Sequence, residues 1–476
     1  MKSKNRKRII FAVLLASISS AQFAIAAEEN TPTSATALPL PHFEDTTAKR
    51  RKFALATCFS KADTDNKEIA VAAATLPVAQ AAIVIAKAIP NPVYNMQYGW
   101  GPAWQYIVAG NNQVVGLTEE ILVAGRRTKR TNVAQANYLA NALQIEAVRF
   151  AIHNRVRRAY AQLAADFAYA SLIETQQKIA ENLLDISQKR FDAGKAPGAE
   201  MLQSKLAVMQ YKPQQNTALG KIEQDSATLA QLLGETPQQE NIIETDENSL
   251  FKLSAERNTL VPAVERGIPA LQQLLPSAWR ERNDLKASIQ QAWVNRKALT
   301  LAKTQRIPDP LIGFNYMFSS YKQFQTQYFN PTGSTANIAG NSVPQEPGFM
   351  FSYSQEMPIF YQYQGQIAHA KANWLLQLRQ NDLTRAQIAS QIVTAYESLL
   401  ATRATIQKYQ RDLLPAALKV AQLTRRGYEL GKMDLATSIL AQQNYQQLRS
   451  SYFDSVVAYQ NAWADLEQAV GVPLAM

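Results

Sequence analysis

RFDAGKAPGAEMLQ opens residues 190–234 and LAQLLG closes them; GYELGKMDLATSIL opens residues 427–471 and LEQAVG closes them. At a constant offset of 237 residues, Phe191 falls on Tyr428, Gly194-Lys195 on Gly431-Lys432, Ala199 on Ala436 and Leu202 on Ile439. Leu229, Gln231 and Gly234 fall on Leu466, Gln468 and Gly471. Identity is low elsewhere, and the matches sit at punctuation: an aromatic, a helix-stopping Gly, a restart, a terminal Gly. That pattern marks a duplicated supersecondary unit whose surface has diverged.

Each copy follows a long run of helix formers. From Arg126 to Ala193 the chain has neither Gly nor Pro, which predicts a rod of 68 residues, about 100 Å long at 1.5 Å per residue. The second run, Gln366 to Leu430, is interrupted only by Pro415 and Gly427. The pattern resumes at once after Pro415, so the proline is expected to kink the helix rather than end it. Rods this long imply coiled-coil-like packing. Return helices are expected over Gly198–Leu233 and Leu435–Val470, with shorter partners over Glu68–Ala88 and Ala278–Thr304.

Between the helices lie two strand pairs. NPVYNMQYGW (91–100) returns as NQVVGLTEEILVAGRRTKR (112–130), and DPLIGFNYMF (309–318) returns as GFMFSYSQEMPIFYQYQGQ (348–366). Thr118-Glu119-Glu120-Ile121 aligns with Ser354-Gln355-Glu356-Met357. Alternating segments of about ten residues, heavy in aromatics, read as membrane barrel strands. Residues 330–348, between the second pair, read as a polar exposed loop. Lipid tolerates no open sheet edge, and the smallest closed membrane barrels have about eight strands. Two strands per repeat cannot close, so several identical chains must share one barrel.

The N-terminus reads as a secretory signal over residues 1–26: a basic region from Lys2 to Arg8, an apolar region from Ile9, and an Ala24-Ile25-Ala26 site cleaved between Ala26 and Ala27. No other stretch is expected to approach a transmembrane helix. Five basic residues and no acidic ones lie in that segment, so the formal +11 falls to +6 beyond it. The remainder is scattered along rods, which argues against nucleic acid. Residues 27–65, with Pro32, Pro39 and Pro41, read as a flexible arm, and the single cysteine, Cys58, as an unpaired thiol within it. The domain reading is therefore a first repeat over 66–234 (strands about 92–123, tip turn about 191–199), an irregular linker belt over 235–277, and a second repeat over 278–476 (strands about 309–360, tip turn about 428–436).

His42, His153 and His369 show no metal-ligand spacing, and no catalytic set can be assembled. No enzyme, cofactor or metal site is expected. Arg155, Arg157 and Arg158 read as a solvated face or lumen lining.

The order helix, Asn/Asp-Pro strand, loop, strand, long helix, Gly turn, helix, given twice, resembles the TolC-like outer-membrane efflux proteins, or outer membrane factors. RFDAGK, GYELGK, Gly234, Gly471, EEILVAGRRTKR and QEMPIFYQYQGQ carry the resemblance, and with RNDLKA before the third strand they look closest to the metal-cation efflux branch. The resemblance implies a mainly α protein with a small membrane β-part. Long coiled-coil-like helices would form an α-barrel in the periplasm, and four strands per chain would contribute to a shared trimeric β-barrel in the bacterial outer membrane. It implies a homotrimer, a periplasmic adaptor (membrane fusion) protein, an inner-membrane efflux pump and outer-membrane lipid as partners. The tip turns, with Phe191, Gly194, Lys195, Tyr428, Gly431 and Lys432, would then dock the adaptor. Asp434 is the candidate entrance constriction, although a helix N-cap explains it equally well, and Asp192 and Glu200 have similar alternatives. The expected function is a passive exit duct for metal cations or drugs in a tripartite efflux system. Alternatives are the duct of a type I polypeptide secretion system and a periplasmic coiled-coil scaffold without a pore.

Overall fold

The computed structural model describes residues 51–98, 111–236, 243–245, 267–320, 326–329, 335–338 and 348–474. The predicted signal segment, with Ala26 and Ala27, and the first part of the predicted arm lie outside the described residues.

The first rod, α3 (Arg126–Asp192), runs unbroken for 67 residues. The chain enters it through two left-handed residues, Ala124 and Gly125 (φ +56° and +66°), which turn it out of the preceding strand. The second rod consists of α8 (Gln364–Lys408), a π turn (Tyr409–Leu413) and α9 (Leu414–Glu429). Pro415 lacks an N–H and its ring would strike the carbonyl of Arg411 in a regular helix. The wider π turn immediately before it absorbs that conflict and the helix continues.

The return helices differ from each other. α10 (Leu435–Val470) is continuous over its 36 residues. The helix expected over 198–233 is instead α4 (Gly198–Met209) and α5 (Tyr211–Leu232), meeting at Gln210. Pro213 is the reason: it has no N–H to offer the Met209 carbonyl four residues back. The partner expected from Ala278 to Thr304 is likewise α6 (Leu271–Glu281) and α7 (Asn283–Ala302), separated by Arg282 in an extended conformation. α6 thus begins inside the expected linker belt.

Two expectations at the N-terminal side need correction. The predicted arm is folded from Arg51 onward. β1 (Arg51–Lys52) pairs in parallel with β4 (Ile243–Glu244), and α1 (Leu55–Asp65) buries Leu55, Cys58 and Ala62 against Ile152, Val156, Tyr160, Leu229 and Leu233. That i, i+3, i+7 spacing is one apolar helix face. Cys58 is fully enclosed, and burial pushes its thiol up to about 12. In addition, α2 (Lys67–Lys87) is long and apolar enough by composition to cross a membrane, contrary to expectation. It packs along α3 and is mostly unburied within one chain, with Val71, Val78, Val84 and Ile85 exposed.

The strands form one antiparallel sheet in the order β2 (Val93–Tyr98), β3 (Asn111–Glu120), β5 (Leu311–Ser320), β8 (Gly348–Ser354). Between the second pair lies a separate small hairpin, β6 (Thr326–Phe329) with β7 (Thr335–Ile338); β7 falls within the loop expected over 330–348, and residues 330–334 and 339–347 of that loop lie outside the described residues. Within the sheet, β2 and β8 are both edges. The helices above it repeat the same order: α2 packs on α3, α3 on α7, and α7 on α8. In the far half, α5 packs on α3, α3 on α10, and α10 on α8 and α9. The two repeats thus lie side by side in both the helices and the sheet.

Candidate functional site: the sheet faces, the belt and the tips

Residues directly opposite in an antiparallel pair share a face. The register therefore sets Tyr94, Leu117, Phe314 and Phe351 in one row across all four strands, and Met96, Val115, Tyr316 and Phe349 in another. Both rows are on the same face, and the Phe314 and Phe349 rings stack across it at 5.2 Å. The opposite face carries Asn95, Gly116, Asn315 and Met350 in one row and Val93, Thr118, Gly313 and Ser352 in the next. Asn315 Nδ2 donates to Ser352 Oγ at 3.1 Å, and Asn95 Nδ2 to Thr118 Oγ1 at 2.5 Å. Gly116 is required there, because a Cβ would run into the Asn315 side chain and backbone. One face is aromatic and aliphatic; the other has no aromatic in these rows and is mainly small and polar, with Val93 and Met350 at the two edge strands.

The sheet joins the rods through one buried ion pair. Asp309 accepts from the Val123 amide at 2.8 Å and pairs with Arg126, whose Nη2 also donates to the carbonyls of Thr304 (3.1 Å) and Ile307 (3.0 Å). A bidentate-capable guanidinium suits this corner, where the end of one helix, a strand and the start of another meet.

Midway along the rods is the belt. Arg157 pairs with buried Glu467 at 2.5 Å, and Glu467 Oε1 also accepts from Trp463 Nε1 and the Leu474 amide, both at 3.1 Å. Arg155 pairs with Glu68, and Arg158 with Asp465. The three arginines therefore fasten α3 to its neighbours; Arg157 in particular is not a solvated lumen residue. Asp166 on α3 is buried against Asp225 on α5. Burial, then the hydrogen bond and charge of Asp225, push its carboxyl up to about 7.

At the far end each rod reverses in the same way. Lys195 N donates to the Arg190 carbonyl (2.8 Å) and Gly194 N to the Phe191 carbonyl (2.8 Å); Lys432 N donates to Gly427 (2.8 Å) and Gly431 N to Tyr428 (2.9 Å). These are matched Schellman closures, with φ +70° at Gly194 and +71° at Gly431. Gly194, Lys195, Gly431 and Lys432 are all exposed. The two aromatics part company. Tyr428 is buried with Leu183 and Leu435, whereas Phe191 is partly exposed over Gly198.

Asp434 is the N-cap of α10: its carboxylate accepts from Thr437 N at 3.2 Å and Thr437 Oγ1 at 2.5 Å. The Thr437 hydroxyl, followed by the Thr437 amide, holds that carboxyl below its ordinary range. Asp192 accepts from Gln188 Nε2 at 2.9 Å, and Glu200 stands beside Tyr428, whose hydroxyl is raised first by burial and then by that carboxylate. A residue that sequence reasoning missed links the two tips. Arg190 Nη1 donates to the Tyr428 carbonyl at 3.1 Å, with its guanidinium 4.8 Å from the Tyr428 ring centroid. Its repeat counterpart is Gly427, and that difference between the copies was the available signal.

Residues 59–235 match the family model described as outer membrane efflux protein. No curated protein matches the chain. Among solved structures, the fold is similar to that of CusC, described in a study of folding and transmembrane channel formation, with a TM-score of 0.69 at 15% identity over 92% of this chain and 97% of that one. The outer-membrane channel CmeC of Campylobacter jejuni gives 0.66 at 16% identity, over 88% of this chain and 85% of that one. The open state of the MtrE outer-membrane channel of Neisseria gonorrhoeae gives 0.66 at 15%, over 91% of this chain and 94% of that one.

Proposed function

We propose, starting from the outer membrane efflux protein domain formed by residues 59–235, that the chain is one third of an outer-membrane exit duct whose helices form a tunnel in the periplasm. The observation that carries the reading is the four-stranded sheet. Its aromatic and aliphatic face suits lipid and its mainly small and polar face suits a water-filled lumen, while β2 and β8 remain open edges. Such edges cannot persist in hydrocarbon. Identical chains meeting edge to edge close the barrel, and three chains supply twelve strands.

The duct is passive. An inner-membrane pump supplies energy and substrate, and a periplasmic adaptor meets the tips at Phe191, Gly194, Lys195, Gly431 and Lys432; Tyr428, expected among them, is buried beneath the second turn and supports it instead. Solutes of the metal-cation or drug class pass along the polar face. Mass measurement on the gently extracted protein tests the assembly, with a trimer in the membrane fraction expected and a soluble monomer the overturning result. Efflux profiling of a deletion strain tests the transport role. Heightened sensitivity to metal ions or organic toxicants is expected, whereas an unchanged profile with the pump and adaptor expressed would exclude it.

A further inference from the structure

Between α7 and α8, on the sheet side of the belt, lies a cleft of about 250 Å³. Ile289, Trp293 and Arg296 line it from α7, and Trp374, Asp382 and Arg385 from α8. Asn381 closes the floor; it is buried, and its side-chain amide lies 2.6 Å from Ser288 Oγ. Trp293 is 46% exposed, and the Arg296 guanidinium stands 5.0 Å from its ring centroid. Among the described residues no carboxylate pairs with Arg296 or Arg385, and Asp382 meets only Arg379, at 3.8 Å. Open indoles beside free guanidinium groups and a carboxylate are the furniture of a binding site rather than of helix packing.

The cleft opens away from the bore. Its α8 residues follow at three- and four-residue steps through Trp374, Asp382 and Arg385, and the same stripe continues into Ile388, Ile392 and Tyr396. Those three pack in the belt core that also holds Leu274 and Ala278 of α6. On the far face of α8, Ser390, Gln391, Thr394 and Ser398 line a separate polar cavity with Arg158 and Asp465. In the ring proposed above, the extra belt layer belongs outside, since inside it would fill the bore. The cleft therefore faces the periplasm.

Its level excludes lipid. Trp293 stands nine residues before the end of α7 at Ala302, about 14 Å along the helix. The 3-10 turn Lys303–Arg306 adds about 8 Å before the strand. Lipid headgroups extend only about 5–8 Å beyond each side of the hydrocarbon core.

We infer that this cleft binds the glycan of the cell wall, with Trp293 and Trp374 against its sugar rings and Arg296 and Arg385 on the carboxylates of its peptide stems. A pyranose offers a flat C–H face to an indole and a rim of hydroxyls to amide and carboxylate groups. Carboxylates spaced along a polymer suit two free guanidinium groups, and Asp382 suits the amines of the same stems. A folded protein partner needs a broad contact of about 800 Å² on each side, which a narrow charged cleft does not offer.

The inference rests on the ring and its outer-membrane setting, and its test separates the two. The full chain, in mild detergent, is mixed with isolated peptidoglycan sacculi and centrifuged, with native mass measured in parallel. Pelleting with the sacculi is expected, together with competition by their muramidase digest. Chitin, a neutral glycan, should pellet at least fivefold less protein. Arg385→Glu, an exposed charge reversal, and the pair Trp293→Ala with Trp374→Ala should each lower the pelleted fraction at least fivefold while keeping the native mass. A native trimer that does not pellet, or whose pelleting survives both sets of substitutions, overturns the cleft and leaves the ring standing. A native monomer that pellets and loses pelleting with Arg385→Glu overturns the ring and supports the cleft.

Discussion

Asn66 Nδ2 donates to the carbonyl of Leu232 at 2.7 Å, joining the start of α2 to the end of α5 across 166 residues. The repeat reproduces the relationship with different chemistry: Arg282 Nη1 donates to the carbonyl of Ala469 at 3.0 Å. Ala469 lies 237 residues after Leu232, the offset of the repeat. In both copies a break between two short helices supplies a side-chain donor to the unsatisfied carbonyl of a return helix. The left-handed glycine two residues on, Gly234 or Gly471, packs against the same break.

Asn66 has two roles, since its Oδ1 also accepts from Ile69 N at 3.0 Å as the N-cap of α2. Asn66→Ala should cost about 2 kcal/mol, combining a lost cap with a buried carbonyl left unpaired. Asn66→Asp keeps the cap and loses the donor, so it should fall between the two. Urea unfolding of the detergent-solubilised protein checks this order; equal stability of all three would show that the belt does not depend on Asn66.

The belt also gives a pH dependence. Asp166 has its carboxyl pushed up to about 7 by burial and by Asp225, against about 3.9 when the chain is unfolded. The folded state therefore binds a proton that the unfolded state releases between those values. Stability from this site is full below about pH 4 and is lost as pH rises through 7. Asp166→Asn should flatten that decline and leave the protein more stable than the native chain at pH 8. Thermal unfolding at pH 5 and pH 8 measures both effects, and an unchanged slope in the variant would exclude Asp166 as the source.

Cys58 offers a direct check on the corrected N-terminal region. It is enclosed in the core, and a thiol raised to about 12 is almost wholly protonated at neutral pH. Maleimide should not label it in the folded protein and should label it fully in denaturant. Leu55→Ala, in the same helix face, should destabilise by about 2–4 kcal/mol. Rapid labelling without denaturant would restore the reading of an unfolded arm through Asp65.

The rods, the strand pairs and the repeated glycines (Gly194, Gly234, Gly431 and Gly471) were legible because each leaves a local mark: absence of Gly and Pro, period-two alternation, or a repeated Gly. Pro213 and Pro415 were visible too, but their effects depend on neighbours. One proline ended a helix at Gln210 and the other was absorbed by a π turn. α1 was missed because three Pro residues upstream dominated the composition, while Leu55, Cys58 and Ala62 become one face only when α3 is present to cover them. The Arg190–Tyr428 link left one mark, Arg190 standing where the other copy has Gly427, but with its partners 238 residues apart that mark does not name Tyr428.

The tip glycines and the belt glycine look alike in sequence and should behave differently when replaced. Gly194 and Gly431 have φ near +70°, and a Cβ at either would meet nothing within 4 Å. Valine there faces backbone strain alone, about 1–2 kcal/mol, too little to unfold a rod packed against its neighbours. It is enough to reshape an exposed turn closed by two hydrogen bonds. Gly234 has φ +76°, and a Cβ there would also run into the backbone of Asp65 and Asn66. Gly194→Val and Gly431→Val should therefore assemble normally but export poorly and crosslink weakly to the adaptor, whereas Gly234→Val should fail to assemble. Gly194→Asn, which tolerates the left-handed region, should retain export. Trimer yield, tip–adaptor crosslinking and substrate export, measured together on the four variants, separate docking from folding. Normal export with both tip glycines replaced by valine would remove these turns from the docking surface.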